Sequence, residues 1–330
     1  MGARPAVGGR ASESPGGAAV LGLDIGGTKL AAGVVDRSGR VRSFAVAPTD
    51  AERGPRDALD RLVSLGRRAV GESGLDWADI GAVGIGCGGP LDSARGVLLA
   101  PLHLPGWTGV PITDLIEEAY ARPATLENDA TAGAAAEYRY GAGVGTRNMV
   151  YLTISTGVGG GVVLDGRLFR GTSGNGGELG HVTVDWHGRP CRGCGRLGCL
   201  EAYVSGTSIA ERGREAGLEI ERASEVVALA AAGDPVARSV WAETVEALAC
   251  GVTSIVNLFE PERVVIGGGV SRAGERLIAP VRERVLASAL APAGHAVDVV
   301  QSALGETVGV VGAAAVADER VELVESAPHG

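Results

Sequence analysis

Two apolar runs that each break on clustered glycines and resume at once as another apolar run constrain this chain more than any other feature. Residues 20–24 run into Gly26-Gly27 and continue over 29–35, and residues 149–155 run into Gly157–Gly161 and continue over 162–164. Short apolar runs bounded by glycines read as strands. One strand–turn–strand device used once in each half predicts two related α/β halves. The remaining pattern agrees. A third strand at 41–46 completes a meander after the Asp36-Arg37-Ser38-Gly39 turn, a helix over 57–70 buries Leu59, Leu62, Val63, Ala69 and Val70, and a strand follows at 80–85. Pro111 opens a helix to about residue 121, a strand over 125–127 meets an Ala-rich helix at 130–140, and a long helix over 234–258 precedes a strand at 263–266 and a last small-residue helix over 305–317. The expected architecture is a two-lobed α/β protein with a cleft between the lobes.

With 330 residues, 45% of them apolar, the chain can bury a large core. Its 54 glycines compare with roughly 23 at average usage, so tight turns are expected to carry chemistry. The net charge of −9 and the scattered basic residues disfavour nucleic acid. No apolar run approaches the roughly 18 residues of a membrane span, and the start lacks the apolar segment of a signal peptide, so a cytoplasmic location is expected. Residues 1–18 and the last few read as disordered tails. The chain has a single lysine, Lys29, and it falls in the first glycine turn.

Asp24-Ile25-Gly26-Gly27-Thr28-Lys29 sets a carboxylate at a strand end, two glycines in a turn, and a hydroxyl and an ammonium beyond it. Glycines let backbone N–H groups approach phosphate oxygens, and the carboxylate can hold magnesium through water; a plain glycine hairpin would look the same locally. Ser155-Thr156-Gly157-Val158-Gly159-Gly160-Gly161 repeats the device, and Gly267-Gly268-Gly269 follows a third strand, where a flat base and ribose can pack on bare backbone. Neither of the first two is a Walker or dinucleotide-binding loop. Together the three turns read as one nucleotide site.

His181 is followed by Cys191, Cys194 and Cys199, a complete tetrahedral set for structural zinc in a reducing compartment. A filled set leaves no open position for water, so such a metal shapes a loop and does no chemistry. That loop brings Glu178 and Glu201 near one another, and paired carboxylates accept hydrogen bonds from sugar hydroxyls. Glu127-Asn128-Asp129-Ala130 ends a strand and opens a helix, so Asp129 can take the proton of an attacking hydroxyl and Asn128 can orient another; helix capping is the competing use of both.

These motifs in combination, with Gly177-Glu178-Leu179-Gly180-His181 and the segment 264–270, resemble the ROK family of sugar kinases and repressors, from Leu21 to about Ala317. The resemblance implies a two-lobed actin-like ATPase (ribonuclease H-like) fold: an N-terminal lobe over 19–127 joined by a C-terminal helix at about 308–320, and a C-terminal lobe over 128–307 with a zinc loop at 181–199. It implies magnesium- and ATP-dependent phosphorylation of a hexose 6-hydroxyl, with Asp129 as general base and Asn128, Glu178, His181, Glu201 and Gly89 on the sugar. Asp24, Gly26, Gly27, Thr28, Lys29, Thr156, Gly157, Gly159 and Gly160 would face the phosphates, Gly268 and Gly269 the adenosine, and His181, Cys191, Cys194 and Cys199 the zinc. A homo-oligomer, dimer or tetramer, is expected by resemblance alone.

The sequence departs from the family pattern in three places: two residues separate Cys191 from Cys194 where the family usually has one, Cys87-Gly88-Gly89-Pro90 stands for Pro-Gly-Pro, and Ala100-Pro101-Leu102-His103-Leu104 stands for Ala-Pro-Asn-Leu. The last two lie at the sugar lip. Glucose is the default substrate, and an amino or N-acylated hexose (kanosamine, glucosamine, N-acetylglucosamine or N-acetylmannosamine) is the alternative. A sugar-sensing regulator is disfavoured, because the residues before the first strand leave no room for a winged helix and both phosphate turns are present.

Overall fold

The structure, a computed structural model, describes residues 18–325. The tails expected at both ends fall, but for Ala18, outside the described residues. The first sheet starts as an antiparallel meander of β1 (Ala19–Ile25), β2 (Lys29–Asp36) and β3 (Val41–Pro48). Helix α1 (Pro55–Glu72) then crosses to β4 (Ile80–Cys87), parallel to β1. Three short strands, β5 (Leu91–Asp92), β6 (Val97–Leu98) and β7 (Val110–Pro111), pair among themselves before α2 (Ile112–Tyr120) leads to β8 (Ala124–Asn128), parallel to β4.

Helix α3 (Asp129–Tyr140) leads into β9 (Met149–Ile154), β10 (Val158–Leu164) and β11 (Arg167–Leu168), a second antiparallel meander. A long connection then carries α4 (Glu201–Val204), α5 (Gly206–Glu215), α6 (Ala223–Ala232) and α7 (Pro235–Phe259). After it come β12 (Arg263–Gly267), α8 (Glu275–Ser288), α9 (Ala293–Ala296), β13 (Asp298–Gln301) and α10 (Val308–Glu325). The sheet orders are β3-β2-β1-β4-β8 and β11-β10-β9-β12-β13. In each, an antiparallel meander is extended by two parallel strands, so the repeated strand–turn–strand of the sequence marks a repeated topology.

Helices α3 and α10 cross each other, α3 lying also on β9 and β10 and α10 also on β1, β2 and β4. Small residues make this possible. A Cβ added at Gly22 of β1 would fall inside the Val310 carbonyl, one at Gly84 of β4 inside that of Ala313, and one at Gly312 of α10 inside that of Ala132. The buried alanines Ala132, Ala135, Ala136, Ala314 and Ala315 fill the seam. At the end of α3 the buried Glu137 accepts from the N–H groups of Ala142 (2.7 Å), Ala303 (3.2 Å) and Leu304 (3.0 Å) and from Ser302 Oγ (2.5 Å), tying α3 to the segment that enters α10.

The second glycine turn is shorter than the sequence suggests. Gly159, Gly160 and Gly161 belong to β10, paired with Thr153, Leu152 and Tyr151 of β9. A Cβ at Gly159 would stand 2.7 Å from that of Ala130, and one at Gly161 2.5 Å from that of Ala134. These glycines let α3 settle on the sheet, which local sequence cannot tell from a turn. Helix α7 is long and apolar enough by length and composition to cross a membrane, but 44% of that window is buried inside the protein, where it packs on α4, α5, α6 and α8.

Gly84→Ala is expected to destabilise the fold by about 1–3 kcal/mol, since α10 must shift off the sheet. Gly71→Ala, in α1 with nothing within 4 Å of the added Cβ, is expected to stabilise by up to about 0.5 kcal/mol through helix propensity. Thermal melts of the two variants against the parent measure both.

Candidate functional site

Three strand ends meet in the first lobe. In the first lobe β1 ends beside β4, with Ile25 paired to Cys87, and β4 ends beside β8, with Cys87 paired to Asn128. Asp24, Gly88–Gly89 and Asn128–Asp129 therefore converge, although they are far apart in sequence. A Cβ at Gly88 would lie 3.9 Å from Asp129 Oδ2, and one at Gly89 3.8 Å from Asn128 Nδ2.

Asn128 serves two purposes. Its Oδ1 caps α3, accepting from the N–H groups of Ala130 (3.0 Å) and Thr131 (3.2 Å), while its amide nitrogen points toward Gly89. Asp129 divides likewise: Oδ1 accepts from Ala130 N–H at 2.8 Å and Oδ2 faces Gly88. Capping thus uses one atom of each side chain and leaves the other facing the Gly88–Gly89 turn.

The electrostatics bind these groups into one site. Dehydration by the surrounding protein, above all, raises the Asp129 carboxyl, with the Ala130 N–H and His103 pulling the other way. Asp24 is pushed up to about 7, first by dehydration, then by the charge of Asp129, against the opposing pull of Lys29. Glu178 is raised by partial burial, with His181 lowering it and Asp129 and Glu201 raising it. A carboxylate cluster this crowded favours cations and donors of hydrogen bonds.

The first glycine turn is held from behind. Gly26 N–H donates to Lys29 O (3.0 Å), Thr49 N–H to Thr28 O (3.0 Å) and Thr49 Oγ1 to Gly26 O (2.6 Å), so two of the turn's carbonyls are occupied on the protein side. Thr28 and Lys29 remain exposed. Over the turn lies the lip loop, where a Cβ at Gly27 would meet His103 Cβ at 2.7 Å. Thr49 has a role that the sequence does not mark, since its contacts lie across a strand and a turn.

The second turn, with Thr156 and Gly157 at its tip, is held by the segment after the cysteine loop: Gly206 N–H donates to Ser155 O (2.7 Å) and Thr207 Oγ1 to Thr156 O (2.9 Å). Gly268, at φ 82°, packs against Ile154, and a Cβ at Gly269 would meet nothing within 4 Å, leaving open space beside the third turn.

His181, Cys191, Cys194 and Cys199 come together with all four ligand atoms within 4.8 Å of one another. His181 Nδ1 stands 3.7 Å from Cys191 Sγ, and Cys194 Sγ 3.5 Å from Cys199 Sγ. A tetrahedron with Zn–S bonds near 2.3 Å has edges of about 3.8 Å, so the wider Cys191–Cys194 spacing is compatible with structural zinc. The other ring nitrogen, Nε2, lies 3.9 Å from Glu178 Oε2. Glu201 sits between this cluster and the second turn: Oε2 accepts from Val158 N–H at 2.9 Å, and Oε1 is 3.3 Å from Cys191 Sγ.

The chain is 37% identical over 317 residues to a glucokinase of Thermotoga maritima, covering 92% of this chain and 98% of that protein. It is 37% identical over 309 residues to an N-acetylmannosamine kinase of Citrobacter koseri, covering 90% and 98%. Among solved structures it resembles a ROK family glucokinase from Streptomyces griseus in complex with glucose and AMPPNP, at 33% identity and a TM-score of 0.79 over 91% of this chain and 99% of that one. The two lobes are those of the actin-like fold shared by such kinases. With the ROK family profile matching residues 20–320, the chain belongs to the ROK family.

Proposed function

We propose that this protein is an ATP-dependent hexokinase that phosphorylates the 6-hydroxyl of glucose, with Asp129 as general base. The observation that carries this reading is the position of Asp129: its free oxygen faces Gly88, and its charge is felt both by Asp24 beside the first glycine turn and by Glu178 beside the cysteine loop. A base between a phosphate cradle and a set of sugar acceptors is what phosphoryl transfer to an alcohol requires.

In this reading the triphosphate lies along Gly26–Lys29 and Thr156–Gly157, with Gly159 and Gly160 behind it in β10, and the adenosine against Gly268–Gly269. Lys29 offers a compact point charge toward phosphate. Asp24 would hold the magnesium ion, which when bound neutralises phosphate charge. The sugar rests on Asn128, Glu178, His181, Glu201 and Gly89. Because the transition state is loose, the protein mainly positions groups and screens charge, and closing the lobes excludes water. Zinc held by His181 Nδ1 and the three cysteines would fix the sugar loop, leaving Nε2 toward the cleft. The enzyme is read as a cytoplasmic homo-oligomer that binds neither membrane nor nucleic acid.

An amino or N-acylated hexose is the second reading, favoured by the Gly88 and His103 lip and by the N-acetylmannosamine kinase relative. An ADP-release assay across a hexose panel separates the two: the highest kcat/KM falls on glucose in the first reading and on an amino sugar in the second.

Asp129→Asn should retain sugar binding and metal content while losing about 2–4 orders of magnitude in kcat; near-normal turnover would refute the base assignment. Metal analysis should find one zinc per chain, and stripping it should lower the melting temperature and raise KM for sugar; fully active protein without zinc would refute the structural metal.

The pH dependence follows from Asp129. A base acts deprotonated, and its carboxyl is raised in the folded protein. The log of kcat/KM for sugar should therefore fall with decreasing pH at a point above the ordinary carboxylate value of about 3.9.

A further inference from the structure

Glu127, the first residue of the base turn, is left without a task by the assignments above. It is 1% exposed, and its carboxylate is gripped by three segments. Arg170 Nε donates to Oε2 at 2.7 Å, Ser93 Oγ to Oε1 at 3.3 Å, and Asn128 N–H to Oε1 at 3.0 Å. Ser93 follows β5 on the first-lobe sugar side, and Arg170 follows β11 of the second sheet. One buried carboxylate thus joins the end of β8, which carries Asn128 and leads into Asp129, to the opposite lobe.

Arg170 also stands at the foot of the loop that delivers Glu178 and His181. That loop is pinched at its base by Gly176 N–H donating to Arg170 O at 2.9 Å, and it turns through Gly171, Gly174 and Gly177 at positive φ. A loop so rich in glycine has little stiffness of its own, so its placement depends on its anchors. Among the contacts of its first residue, the ion pair with Glu127 reaches directly to the backbone of the base turn.

We propose that Glu127 and Arg170 are positioning residues: their ion pair sets the distance between the Asn128–Asp129 turn of one lobe and the Glu178–His181 loop of the other, so that a sugar held by the loop presents its hydroxyl to Asp129. The proposal rests on the kinase reading above. Neither side chain is placed on a reacting atom. The guanidinium fork gives direction as well as charge, which an ammonium would not reproduce.

The test compares Arg170→Gln, Arg170→Lys, Glu127→Gln and the Glu127→Gln/Arg170→Gln pair in the full chain. Each single glutamine variant is expected to lose roughly ten- to a hundredfold in kcat/KM for sugar, as small misplacements of reacting groups do. KM for ATP and the affinity for ADP should stay within about twofold, and Arg170→Lys should recover little. The double variant removes both charges while keeping a similar shape, so its loss should be smaller than the product of the two single losses. It also remains measurable if a lone buried charge prevents a single variant from folding. Three outcomes overturn the proposal: losses that multiply, sugar and ATP parameters that move together, or melting temperatures that fall while kinetics stay unchanged. Asp129→Asn, assayed alongside, keeps the two questions apart, since turnover surviving there overturns the base assignment whatever the ion-pair variants do.

Discussion

The fold depends on how closely α10 lies on the first sheet. Carbonyls of Val310 and Ala313 occupy the space that side chains would take at Gly22 and Gly84, and Gly312 meets α3 at Ala132 in the same manner. This helix-to-backbone contact gains dispersion over many atoms but tolerates no added methyl. It brings the end of the chain back to its beginning, and Asp24 itself is part of the contact, because Gly309 leaves room for the Asp24 carboxylate at the start of α10. The site and the packing are therefore one construction: the strand that places Asp24 is the strand on which α10 rests.

That construction puts like charges together. The charge of Asp129 raises the electrostatic cost of Asp24, and Glu178 and Glu201 extend the cluster toward the cysteine loop. Lys29 lowers Asp24, and His103 lowers Asp129. A site with such an excess of carboxylate is poised for ligands that bring positive charge or many hydroxyl donors. Arginine, so abundant elsewhere in the chain, reaches the base turn through Arg170, whose Nε donates to Glu127.

Much of this was legible in the sequence, for reasons that particular residues make plain. Strands closed by glycines and the Cys/His spacing are local signals: Asp24 lies near the end of β1, Asn128 ends β8, and the ligand atoms of His181, Cys191, Cys194 and Cys199 lie within 4.8 Å of one another. Gly159–Gly161 misled because a glycine needed for close helix packing and a glycine needed for a turn are the same residue on paper. Thr49, Glu137 and Arg170 were silent, since their partners are Gly26 and Thr28, the 302–304 segment, and Glu127, none of which is near in sequence. Asn128 reads as cap or site in the sequence, and in the structure its oxygen makes the cap while its amide nitrogen faces Gly89, so the cap leaves the nitrogen to the proposed sugar contact.

Glu201 gives the cysteine loop a reach to the second glycine turn. Its carboxylate lies against Cys191 on one side and holds the Val158 N–H on the other, and a Cβ at Gly157 would stand only 2.8 Å from its Oε2. Directly after it, α5 begins by donating to Ser155 and Thr156. The loop that a metal would stiffen is thus continuous, through Glu201 and the start of α5, with the second glycine turn. A tetrahedral centre with no open position acts only through shape, and through Glu201 and the start of α5 that shape would reach the turn at Thr156 and Gly157. Loosening the cluster would therefore be felt first where Glu201 meets the second turn, at the Val158 N–H and beside Gly157.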